Sequence, residues 1–401
     1  MHGFGFEQGL LTLEKPVNLR KSNTSLKIGI PKETADEERR VVVSPEGVAT
    51  LIASGHEVYV ETGAGDAARF PDNLYMEAGA NITQTPEDLY GQVELVAKML
   101  PPVGKELYWL QEKQTLISAL HLGSATPDLI RRLMELRITA IGFEFIRERD
   151  GTFPLVRMMH EISGALSVQL AARYLESTSG GRGVVLGGIS GLPPALVVIL
   201  GAGVVGEWAA RSALGMGANV IVVDTELGGL RQIEHYLSRR AATAMANPQY
   251  LTRVLHNADV LIGAKMKHGH RSPILVTEDM VAGMRPGSVI VDLVMDQGGC
   301  IETSHPTTLS EPTFVKHGVI HHCVPNLPSC VARTSSIALS NVLVPYLLEI
   351  GEQGNINNAL WHNESLRSGT FVYRNHLTKK TLASMFNMPY RDIELLIASG
   401  L

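Results

Sequence analysis

The chain has 401 residues, with 35 Lys and Arg against 40 Asp and Glu and a net charge of −5. That length suits two domains, since single cores seldom grow past about 250 to 300 residues, and no long run of one sign argues for nucleic acid or an anionic membrane, so a small-molecule partner is expected. Three cysteines without a CxxC pair, Cys300, Cys323 and Cys330, exclude a disulfide framework and fit a reducing cytoplasm.

Residues 1–25 contain no apolar core long enough for a signal peptide, no run of 18 apolar residues occurs anywhere, and this segment is read as an appendage. Leu26–Ile30 predicts a strand, followed by the polar turn PKETADEERR and an apolar run at Val41–Val43. Ser44 as N-cap and Pro45 at the first helical position start a helix that Gly55 closes. HEVYVET at His56–Thr62 alternates as a strand. A helix near Leu74–Ala78 follows, then strands at Val93–Leu100 and Thr115–Leu120, a helix capped by Thr126 and Pro127, and a strand at Thr139–Ile146. This alternation predicts a parallel α/β sheet.

A long helix is predicted from Met159 to about Glu176, with Ile162, Leu166 and Leu170 on one stripe linking the two domains. The turn-rich stretch Gly180–Pro194 has apolar pieces that pair as short strands. Val197–Leu200 is then a β-branched apolar run, as in a parallel strand buried on both faces. Gly201, Gly203 and Gly206 follow at GxGxxG spacing. The first glycine makes the turn, the second admits a pyrophosphate, and the third lets the helix pack on the strand. A helix over Trp208–Met216, stopped by Gly217, leads to a strand at Val220–Val223. Asp224 ends that strand about 20 residues beyond the motif, where a carboxylate accepts from a ribose hydroxyl and favours NAD over NADP. The cofactor-binding candidates here are Gly201, Gly203, Val204, Val205, Gly206 and Asp224.

Further strands are predicted at Asp259–Gly263, Ser288–Val294 and Val319–Val324. A second long helix over Ser335–Ile350 carries Leu339, Leu343, Tyr346, Leu347 and Ile350 on one stripe, capped by Thr334 or Ser335, kinked at Pro345 and ended by Gly351. The fold class is therefore α/β, with two Rossmann-like domains of parallel sheets, joined by long helices, and a cleft between them. The expected division is an N-terminal appendage at 1–25, a discontinuous substrate domain at 26–154 plus 333–401, and an NAD-binding domain at 155–332.

Ligands of open α/β sheets sit outside the carboxyl ends of the strands. Asp296, Asn326, His121 and Lys98 occupy such positions, and Arg40 stands on a charge-rich loop before an apolar run. The stretch KMKHGHR at Lys265–Arg271 reads as a solvated excursion. HGVIHHC at His317–Cys323 is not read as a metal site, because neighbouring strand residues face opposite sides. No metal is expected. Cys300 reads as a small buried residue.

The chain resembles the alanine dehydrogenase and pyridine nucleotide transhydrogenase family from about Lys27 onward. The resemblance is carried by GIPKET at Gly29–Thr34, RVVVSPEGV at Arg40–Val48, GHEVYVETGAG at Gly55–Gly65, GGRGVVLGGISG at Gly180–Gly191, GAGVVG at Gly201–Gly206 and DQGGC at Asp296–Cys300. It implies an oxidative deaminase that passes hydride from L-alanine to NAD, giving pyruvate and ammonium. By the same resemblance Arg40 holds the substrate carboxylate, His121 is the general acid and base, and Asp296 assists at the reacting carbon. Asn326 looks like a cofactor contact, and a cytoplasmic homo-oligomer, often a hexamer, is implied.

Two departures stand out. Where the family usually has KVKEP this chain has KMLPP, so Leu100 replaces the lysine placed on the substrate, while Lys98 remains on the same strand face as a substrate-contact candidate. His160 stands where a small hydroxyl residue near the cofactor is common. These departures leave open a dehydrogenase for another amino or imino acid, a non-catalytic NAD(H)-binding homologue, and a stand-alone relative of the transhydrogenase nucleotide-binding component.

Overall fold

The computed structural model describes residues 24–120, 125–266 and 271–399, apart from the side chain of Asp296. Most of the predicted appendage, residues 1–23, lies outside the described residues, as does His121. The first sheet contains β1 (Lys27–Ile30), β2 (Glu57–Glu61), β3 (Asn81–Thr83), β4 (Leu95–Ala97), β5 (Thr115–Ser118) and β6 (Thr139–Gly142). The second contains β7 (Leu196–Leu200), β8 (Asn219–Asp224), β9 (Ala242–Met245), β10 (Val260–Gly263), β11 (Val289–Asp292), β12 (Thr313–Lys316) and β13 (Val319–His322). Two late strands, β14 (Thr370–Tyr373) and β15 (His376–Leu377), return to the first sheet, which runs β15-β14-β6-β5-β4-β1-β2-β3; the second runs β12-β13-β11-β10-β7-β8-β9.

Both sheets are mixed rather than wholly parallel. β14 pairs antiparallel with β6 and with β15, and β12 pairs antiparallel with β13. The short links between β12 and β13 and between β14 and β15 explain this: two or three residues form a hairpin, whereas a parallel crossover needs a dozen or more. The inner strands are parallel and buried on both faces. Val197 and Ile199 of β7 belong to one apolar cluster and Val198 and Leu200 to another, as a period of two requires when helices cover both sides.

Local signals set several boundaries as read. Ser44 Oγ accepts from the N–H of Gly47, and Pro45 opens the helix Pro45–Ala53. Other boundaries move. The first long helix runs Pro154–Tyr174, starting five residues before Met159, because a proline in the first turn lacks only an N–H that would have no helical partner. Of the predicted stripe only Leu166 is buried, Ile162 and Leu170 being half-buried; the rest of the buried face is Leu155, Gly164, Ser167, Val168 and Ala171. A small residue stands at Gly164 because the Rossmann helix Val204–Gly215 packs directly on it, and a Cβ there would overlap the backbone carbonyl of Val205.

The second long helix spans Ala332–Glu352 and has no side-chain cap; the 3-10 turn Leu327–Val331 leads into it, and Ser335 Oγ donates to the carbonyl of Pro328 at 2.7 Å. Gly351 lies inside this helix instead of ending it, since the ring of His56 packs where a side chain would stand. With the preceding turn this helix is long and apolar enough to cross a membrane by composition, but half of the qualifying window is buried inside the protein. Leu339, Leu343, Leu347 and Ile350 belong to the core of the first sheet. The Gly164 contact generates a test. Gly164→Val should cost about 1 to 3 kcal/mol by overpacking, seen as a lower denaturant midpoint at unchanged m-value; an unchanged midpoint would contradict the close approach.

Candidate functional site

Strand order reverses at two places, and both reversals make crevices at carboxyl ends. In the second sheet the reversal lies between β7 and β10. Gly201 leaves β7 at φ 112°, and a Cβ there would lie 2.6 Å from the carbonyl oxygen of Ala264, just beyond β10. Gly206 presses on the carbonyl of Gly201, while a Cβ on Gly203 would meet nothing within 4 Å. The three glycines thus divide into a turn, an open approach and a helix contact. Gly203 caps the Rossmann helix without a side-chain hydrogen bond, so the first helical N–H groups, those of Val204 and Val205, face a space suited to an anionic pyrophosphate. These features fit a dinucleotide.

Asp224 closes β8 with its carboxylate buried. Oδ2 accepts from the N–H of Ala202 at 2.6 Å, and Oδ1 accepts from the N–H of Glu226 at 2.8 Å and from Lys265 Nζ at 2.7 Å. Burial alone would raise its pKa, but the Lys265 ammonium and the two amides outweigh that and hold it below the usual range. Lys265 itself departs from the reading of Lys265–Arg271 as a solvated excursion: it is only 11% exposed because it is paired with Asp224 and, at 3.1 Å, with Glu226, whereas Arg271 is exposed and residues 267–270 lie outside the described residues.

In the first sheet the reversal lies between β1 and β4. The loop after β1 carries Glu33, whose carboxylate accepts from the N–H of Met99 at 2.6 Å and of Leu100 at 3.3 Å. Lys98, immediately after β4, is 1% exposed; its Nζ donates to Glu106 at 2.8 Å and lies 3.7 Å from Glu33. Two carboxylates therefore face one ammonium. Burial drives Glu33 up to about 7, opposed by Lys98.

Further along the same loop Arg40, 4% exposed, lies against Glu38. Arg40 Nε donates to Oε1 at 2.7 Å and Nη2 to Oε2 at 2.5 Å, while Nη1 reaches Met159 Sδ at 3.3 Å. Glu38 thus takes one edge of the guanidinium fork and leaves the Nη1/Nη2 end free of carboxylate. Glu38 also accepts from Asn326 Nδ2 at 3.1 Å, across from the second sheet. Although Glu38 is buried, Arg40 and Asn326 keep its pKa lowered. Nearby, the Arg39 N–H donates to Ser329 Oγ at 3.0 Å and the Val41 N–H to Ser336 Oγ at 2.9 Å.

The structure brings Arg40 together with Asn326 through Glu38, while Lys98 is held separately by Glu106 and Glu33. His160 lies half-buried on the first long helix. Asp296 sits in the short 3-10 turn Met295–Gln297, past β11. His321 and His322 diverge: His321 stacks on Phe314 at 4.7 Å and pairs with Thr303 at 2.8 Å, whereas His322 faces Tyr174. Sequence reasoning missed Glu33, Glu38, Glu106 and Lys265. The only available signal was the acidic residue two positions before Arg40 in DEERR.

Models of the N-terminal and C-terminal domains of alanine dehydrogenase/PNT match residues 29–163 and 167–380. The chain belongs to the alanine dehydrogenase/PNT family. It is 40% identical to an alanine dehydrogenase of Methanococcus maripaludis over 92% of this chain and 98% of that one. An alanine dehydrogenase of Bacillus subtilis is 41% identical over 92% of this chain and 96% of its own length. A solved L-alanine dehydrogenase superposes with a TM-score of 0.86 at 41% identity, covering 90% of this chain and 99% of that one. A transhydrogenase from Sinorhizobium meliloti, at a TM-score of 0.75 and 24% identity over 88% of this chain and 99% of that one, shares the fold.

Within this family fold, Glu33 gives stability a sign with pH. Its folded pKa of about 7 exceeds the ordinary 4.5, so between these values the folded state holds the extra proton and stability falls as pH rises. Glu33→Gln should flatten that decline, by on the order of 3 kcal/mol between pH 4.5 and 8. Chemical denaturation of both forms across that range is the check; parallel pH profiles would contradict it.

Proposed function

We propose that the chain catalyses the reversible NAD-dependent oxidative deamination of L-alanine to pyruvate and ammonium, consuming one water. The observation that carries this reading is Arg40, a buried guanidinium with one edge fixed by Glu38 and the other paired with no carboxylate, its Nη1 resting on the Met159 sulfur that a substrate carboxylate would displace. It stands beside Asn326, and the family membership supports the assignment. Substrate carboxylate binding at the Nη1/Nη2 end orients the Cα–H and the amine.

In this reading residues 26–154 plus 333–401 form the substrate domain and 155–332 the nucleotide domain. Gly201, Gly203, Val204, Val205, Gly206 and Asp224 would hold NAD, with Asn326 and His160 as further contacts. When bound, NAD supplies the hydride acceptor. His121 takes the proton from the water that adds to the imine and returns it to the departing amine. Asp296 accepts from the amine and steadies the positive charge of the iminium. Lys98, held by Glu106, keeps the crevice from being wholly acidic and contacts substrate only by leaving that carboxylate. The enzyme works as a cytoplasmic homohexamer.

Leu100 favours one second reading, a dehydrogenase for another amino or imino acid, because an apolar side chain stands where the family's substrate lysine is usual. NADH oxidation with pyruvate, glyoxylate or 2-oxobutyrate plus ammonium separates the two. Pyruvate should give the highest kcat/KM, and His121→Ala should abolish turnover. Arg40→Lys, which keeps the charge and loses the fork, should lower kcat/KM by about 10- to 100-fold, the equivalent of about 1.5 to 3 kcal/mol for one charge-assisted contact. Turnover with 2-oxobutyrate or glyoxylate above pyruvate would move the reading to the second, and NADH binding without turnover would refute both.

A further inference from the structure

The loop after β1 turns at Ala35–Glu38, closed by the Glu38 N–H donating to the Ala35 carbonyl at 3.2 Å. Glu37 takes the third position of that turn at φ 66°. A positive φ there ordinarily calls for glycine or asparagine, and a longer side chain keeps it only where the surroundings hold it. Those surroundings come from the side of the second sheet. Glu37 Oε1 accepts from the N–H of Leu309 at 2.8 Å and of Ser310 at 3.3 Å, in the segment just before β12. The Glu37 carbonyl accepts from Ser329 Oγ at 2.6 Å, and the same hydroxyl accepts from the Arg39 N–H at 3.0 Å. One hydroxyl thus grips the backbone on both sides of Glu38, the residue that fixes the Arg40 fork. Glycine at position 37 would relax the turn and lose only the reach to Leu309 and Ser310, so that reach is what the strained glutamate supplies.

We propose that Glu37 is a positioning residue for the substrate end of the site: its carboxylate clasps the 309–310 segment and so fixes the loop that presents Arg40. The proposal rests on the reading of Arg40 as the residue that receives the substrate carboxylate. Glu37 acts through the backbone and not by contact with substrate. With Leu309 and Ser310 holding its side chain and Ser329 its carbonyl, the peptide that follows residue 37 has one orientation, and Glu38 meets Arg40 and Asn326 together. Without the clasp that peptide is free to rotate, and the open edge of the guanidinium loses its fixed direction.

The test is steady-state NADH oxidation by the full chain with ammonium and its best 2-oxo acid among pyruvate, glyoxylate and 2-oxobutyrate, beside the NADH Kd and thermal midpoint of each variant. Glu37→Gly should raise the KM for the 2-oxo acid about tenfold, the equivalent of one lost charge-assisted hydrogen bond. Its NADH Kd should be unchanged, and its thermal midpoint too, because the relaxed turn offsets the lost hydrogen bonds. Glu37→Gln keeps the length and an accepting oxygen and should retain the wild-type KM. An unchanged KM in Glu37→Gly, the same rise in Glu37→Gln, or a parallel loss of 2-oxo acid binding, NADH binding and thermal midpoint overturns the proposal while leaving the Arg40 reading intact. A wild-type chain that turns over none of the three acids overturns both.

Discussion

The buried pair of Glu38 and Arg40 is the interaction around which the candidate site is arranged. Neither side chain is more than 4% exposed. Desolvating two such charges costs several kcal/mol each, and only close geometry with additional hydrogen bonds offsets it. Here the offset comes from two parallel bonds within the pair and a third from Asn326, which arrives from the other sheet. The pair therefore does two things at once. It fixes which edge of the guanidinium remains for a ligand, and it joins the loop after β1 to the turn after β13, so the substrate end and the nucleotide end are positioned by one carboxylate. Ser329 and Ser336 reinforce the same seam through the backbone of Arg39 and Val41.

Both lysines in the two crevices are tied to carboxylates, and this sets the character of each end. Lys98 is held by Glu106 near a second acid, Glu33, and Lys265 is held by Asp224 near a second acid, Glu226. Beside Lys98 two carboxylates face one ammonium, and burial favours the protonated form of Glu33. At the Asp224 end the second acid, Glu226, is exposed to water. The same local composition thus leaves two buried carboxylates beside Lys98 and one buried and one exposed carboxylate beside Lys265.

Much of the fold was legible because it follows from short-range chemistry. The apolar run before GxGxxG, the Ser44–Pro45 and Thr126–Pro127 starts, and the acid at the end of β8 each announce an element through its own residues. The antiparallel edges were not legible, since they depend on which strand a hairpin finds beside it, as β14 finds β6 more than 200 residues earlier in the chain. The inward face of the first long helix was misread for a related reason. Its apolar stripe suggested Ile162, Leu166 and Leu170, of which only Leu166 is buried; around Gly164 the approach of the Rossmann helix selects a small residue, and that approach is a tertiary fact. Among candidate site residues, Asn326 was named by its position past a strand end, and Arg40 by its charge-rich loop and the family resemblance. Glu33 and Lys265 were not, because an acid or a lysine in a polar loop looks solvated until its partner, distant in sequence, is known; Glu38 was missed although Arg40 stands two residues on, because the burial of the pair is a tertiary fact.

The central claim is that Glu38 positions Arg40 for a substrate carboxylate rather than merely balancing its charge. The direct measurement is the KM for pyruvate in Glu38→Gln, with the Kd for NADH in the same variant as reference. The account predicts that the pyruvate KM rises about tenfold or more relative to the NADH Kd, because the guanidinium loses the partner that fixes its open edge. Equal weakening of both, as general loss of structure would give, or an unchanged pyruvate KM, would contradict it.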